Sequence, residues 1–74
     1  MTEREARDIL RAHFQKWLRP GHDFFIGEVY SSDNTGYSFE AGTYPISEGK
    51  PRRLPIWGVD ARTKAVGLDL VKRQ

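Results

Sequence analysis

A chain of 74 residues with no cysteine and a net charge of +2 reads as one small domain that must hold together without disulfides, thiolate metal ligands or a cysteine nucleophile. Its two histidines leave little for zinc, so neither a metal nor another cofactor is expected. Glu3, Arg4, Glu5, Arg7 and Asp8 interrupt any apolar start, and no run approaches the roughly 20 apolar residues of a membrane span, which points to a soluble, cytoplasmic protein with no membrane contact.

Thr2 followed by Glu5 is a capping-box pattern, so a helix is expected to begin at once. Ala6, Ile9, Leu10, His13, Phe14, Trp17 and Leu18 recur at helical spacing and form an apolar stripe. Arg4, Arg7, Asp8, Arg11, Gln15 and Lys16 take the remaining surface, with Glu3 and Arg7 spaced as an exposed pair. Pro20-Gly21 ends the helix, because proline lacks the amide and glycine accepts the left-handed conformation.

Phe24 to Ser31 and Tyr37 to Tyr44 are rich in β-branched and aromatic residues and are separated by Ser32-Asp33-Asn34-Thr35-Gly36, a run of turn formers. These segments predict a hairpin. With Ser31 opposite Tyr37, the loop has five residues and one face collects Phe25, Val29, Tyr37, Phe39 and Ala41, ready to meet the helix. The other face then carries Phe24, Ile26, Glu28, Tyr30, Ser38, Glu40 and Tyr44. Gly27 and Gly42 mark places for a bulge or tight curvature.

Pro45 to Pro51 reads as an exposed connection. Arg53 to Val59 and Ala65 to Val71 form a second hairpin, with Val66, Leu68 and Leu70 alternating toward the core and Pro55 marking a strand start or an edge. The expected fold is α+β: one N-terminal helix packed on a three- to four-stranded antiparallel sheet, in the order α-β-β-β-β.

Charge follows the chain unevenly. Residues 1–20 hold five basic and three acidic groups, residues 21–49 hold five acidic groups and no Lys or Arg, and residues 50–74 hold seven basic and two acidic groups. The thirds make the molecule a dipole unless they neutralise each other side by side.

The helix beginning Thr2-Glu3-Arg4-Glu5-Ala6, the aromatic strands and the closing Pro55-Ile56-Trp57-Gly58-Val59-Asp60-Ala61-Arg62-Thr63 segment resemble small cystatin-like domains, above all PepSY-type modules and the small immunity proteins of bacterial toxin systems. The match falls on Val59, Asp60, Thr63 and Val66, while Lys64 stands where those families place a turn glycine. The resemblance implies a non-enzymatic domain of bacterial or phage type that binds or restrains another protein.

No catalytic constellation accompanies it. His22-Asp23 joins an imidazole to a carboxylate, but sequence neighbours point apart on a strand. His13 borders the apolar stripe and reads first as structural. Glu28 and Glu40 face each other across the expected hairpin, where paired carboxylates do acid–base work in hydrolases, yet an outer sheet face offers no cleft. The same face suits binding. Phe24, Ile26, Tyr30 and Tyr44 supply anchors, and Glu28 and Glu40 supply steering toward a basic protein partner. Self-association as a homo-oligomer is the competing use of such a face. The alternative partner is nucleic acid, held by Lys50, Arg52 and Arg53 beside Trp57; a solvated loop and a core Trp57 are the plainer account of those residues.

Overall fold

The computed structural model describes residues 1–51 and 53–68. Helix α1 spans Glu3–Trp17 and begins with the expected capping box. The Glu5 amide donates to Thr2 Oγ1 at 3.1 Å, and the Thr2 amide donates to Glu5 Oε1 at 3.3 Å, so two amides that a helix start leaves open are satisfied. Ala6, Leu10 and Phe14 are buried, with Ile9 and His13 half-buried beside them. Arg7 Nε bonds Glu3 Oε2 at 3.0 Å on the exposed side. Trp17 departs from the expected stripe and is 67% exposed. The helix ends there, Leu18 is already extended, and the Lys16 ammonium lies over the Trp17 ring at 5.6 Å.

Gly21, at φ 82, turns the chain into the sheet. Strands β1 (His22–Asp33), β2 (Gly36–Pro45), β3 (Ile56–Asp60) and β4 (Val66–Leu68) lie in the order β1-β2-β3-β4, all antiparallel. This is the α+β architecture expected from the sequence.

The first hairpin is longer and tighter than expected. Asp33 pairs with Gly36 across Asn34 and Thr35 alone, and Ser31 pairs with Ser38 rather than Tyr37. Asp33 Oδ1 accepts the Thr35 amide at 2.8 Å and the Thr35 hydroxyl at 2.6 Å, an Asx bond that draws those residues into the turn. Gly36 is obligatory: at φ 152, a Cβ built on it would lie 2.1 Å from the Val59 carbonyl oxygen. A single 3-10 turn, Ile46–Glu48, follows β2. β3 starts immediately after Pro55, whose carbonyl accepts the Ala41 amide at 3.0 Å, so the proline serves the ladder as an acceptor where it cannot donate. In the last turn Lys64 takes φ 65, the left-handed conformation that a glycine would adopt freely.

The faces of the sheet depend on two irregularities in β1. Gly27 and Glu28 stand opposite Glu40 alone, and Tyr30 is an extra residue between the Val29–Phe39 and Ser31–Ser38 pairs. Each extra residue shifts the in–out alternation by one. Consequently Phe24, Ile26 and Val29 all face the helix, joined by Tyr37, Phe39, Ala41, Trp57, Val59 and Val66. Phe39, Leu10 and Val59 are the largest fully enclosed side chains, each contributing about 1.5–3 kcal/mol through burial. The expected inward alternation of β4 holds for Val66; Leu68 shares the face but is 49% exposed, and Leu70 lies outside the described residues.

Candidate functional site

The face away from the helix is built from the opposite set of positions. At its lower end, Phe25 pairs directly with Gly42. The connection between β2 and β3 folds over this pair. Lys50 Nζ sits 4.1 Å from the centre of the Phe25 ring, and a Cβ on Gly42 would meet Leu54 Cδ2 at 3.2 Å and Pro55 Cδ at 3.4 Å. A glycine is therefore what lets the connection lie flat on the sheet.

Above that strap the described residues leave a concave stretch of the face, within which Ser38 is itself buried. Ser31, Ser38, Gly58 and Gly67 are register partners in succession, one from each strand, and they floor a trough of about 520 Å³. No side chain in this row is larger than a hydroxymethyl. On one side stand Glu40, paired with Ile56, and Glu28 at the first bulge; on the other, Asp33 and Asp60 flank Gly36. Tyr30, 60% exposed, adjoins the row at the β1 edge.

The two aspartates are fixed by their turns. Asp60 Oδ1 accepts the Arg62 amide at 2.8 Å and the Thr63 amide at 2.9 Å. The Thr63 amide, and then the Arg62 amide, hold the Asp60 carboxyl below its ordinary pKa. The Thr35 hydroxyl, followed by the Thr35 amide, does the same for Asp33. The Ala61 amide donates to the Thr35 carbonyl at 2.8 Å, tying the two turns into one rim. All four strands together carry Asp23, Glu28, Asp33, Glu40 and Asp60 and no Lys or Arg, whereas α1 carries four basic against three acidic groups. The strand residues thus carry five negative charges and no positive one, while Arg62 in the β3–β4 turn places a positive charge beside Asp60.

The sequence-derived binding set is divided by this geometry. Glu28, Tyr30 and Glu40 are exposed, and Tyr44 is half-buried on the outer face opposite Asp23. Phe24 and Ile26 are corrected: they pack into the core, Phe24 stacking on Phe14 at 5.6 Å between ring centres. Phe25, expected inside, takes the outer position under Lys50. The Ser/Gly row and the aspartate rim were missed, although glycine and serine recurring at outward positions of all four strands was a signal that the correct register would have exposed.

The alternative basic set is divided, with Trp57 and Lys50 on opposite faces of the sheet. Trp57 faces α1, its ring 5.0 Å from that of Phe14 and 5.5 Å from that of His13, while Lys50 lies across the sheet on Phe25. Arg53 is exposed in the connection, and Arg52 lies outside the described residues. The Trp57 indole nitrogen is buried with no acceptor among the described residues.

His22 and Asp23 occupy opposite faces. His22 Nδ1 is 3.3 Å from the Pro20 carbonyl, and Asp23 Oδ1 accepts the Phe24 amide at 2.7 Å, so they do not act on one another. Among the described residues no group of three or more His, Cys, Asp or Glu is arranged to hold a metal ion, and no helix is long and apolar enough to cross a membrane.

No family model, curated protein or solved structure matches the chain. The resemblance to small cystatin-like domains therefore rests on the helix start and on Val59, Asp60, Thr63 and Val66.

Proposed function

We propose that this domain is a non-catalytic binding module that docks a basic protein on the open half of its outer sheet face and restrains it by covering that partner's cationic surface. The observation that supports this reading is the charge of the sheet: five carboxylates and no Lys or Arg among the strand residues, surrounding a floor without large side chains. A sheet layer so charged steers positive partners and repels negative ones. Tyr30 supplies the exposed aromatic contact, and Glu28 and Glu40 supply charge that no described ion pair neutralises.

Capture from nuclease-treated lysate of the source cells, with tagged wild-type protein and the Glu28→Lys/Glu40→Lys variant side by side, tests the proposal. A stoichiometric protein retained by the wild type and lost by the variant is the expected result. Equal retention by both overturns the assignment to this face. Material recovered only when nuclease is omitted moves the partner to nucleic acid.

A further inference from the structure

We draw no further inference here: the strongest candidate, the surface patch at the C-terminal end of α1 where Trp17 stands 67% exposed beneath the Lys16 ammonium, carries no proposal because nothing in the structure shows what covers it.

Discussion

Phe24 stacks on Phe14 across the helix–sheet interface, ring centres 5.6 Å apart and planes inclined by 22°. The contact fixes the orientation of the first half of β1, because a phenylalanine committed to the helix sends Phe25 to the other side. Phe24→Ala should therefore destabilise the domain by about 2–3 kcal/mol, toward the lower end for a large aromatic because the ring is only half-buried. Tyr30→Ala, at an exposed position of β1, should change stability by less than about 0.5 kcal/mol. Urea denaturation of both variants decides it, and equal losses would restore the simpler alternation.

Gly36→Ala places a methyl 2.1 Å from the Val59 carbonyl oxygen. The β2–β3 ladder must open to admit it, and the expected loss is about 2–3 kcal/mol, well beyond the ordinary cost of alanine at positive φ. Gly67→Ala, which meets no neighbour, is the matched control and should be close to neutral by thermal melting.

Lys64→Gly should gain about 0.5–1 kcal/mol. A non-glycine residue at φ 65 carries a left-handed penalty of roughly 1–2 kcal/mol, partly offset by the greater freedom glycine gives the unfolded chain. The lost contact between Lys64 Nζ and Glu5 Oε2, 3.8 Å apart and half exposed, counts for little. A rise in melting temperature is the expected outcome; a fall would mean that the lysine stem holds the turn against the helix.

Asp33 and Asp60 give the fold an acid-sensitive limb. Amide and hydroxyl donors lower both carboxyl pKa values below 3.8, so the folded state prefers the ionised forms. The contribution is complete above the unfolded value and is lost as pH falls through the lower folded values. Stability measured from pH 6 to pH 2 should drop below about pH 4, and Asp33→Asn/Asp60→Asn should flatten that drop. An unchanged acid limb in the double variant would assign it to other carboxylates.

Thr2→Ala removes the Oγ1 acceptor of the Glu5 amide and should cost about 1 kcal/mol. Helical ellipticity and melting temperature should fall together, whereas Thr2→Ser should preserve both.

The parts of this fold legible in the sequence were those encoded locally. The Thr2–Glu5 box and the Pro20-Gly21 stop delimit α1 within a few residues, and the aromatic and β-branched runs mark the strands that follow. The face of Phe24 and Ile26 was not legible, because it depends on the extra residue at Gly27–Glu28, between them and Val29, whose existence is settled by what β2 places opposite it. Gly27 marked the first irregularity; nothing local marked Tyr30. The strap was hidden for a similar reason: Lys50 and Phe25 are far apart in sequence, and only the pairing of Phe25 with Gly42 brings the connection across them. Of the candidate binding surface, Glu28, Tyr30, Glu40 and Tyr44 were legible, while its floor required the register.

The irregular ladder of β1 also governs how the sheet can be extended. β1 is a border strand of 12 residues, long enough to template strand after strand if its outward amides and carbonyls were evenly spaced. Two interruptions within six residues, Gly27–Glu28 and Tyr30, break that spacing into pieces too short to seat a regular neighbour. The border formed by β1 is thereby a poor template for the fibrous growth that an exposed strand edge otherwise invites.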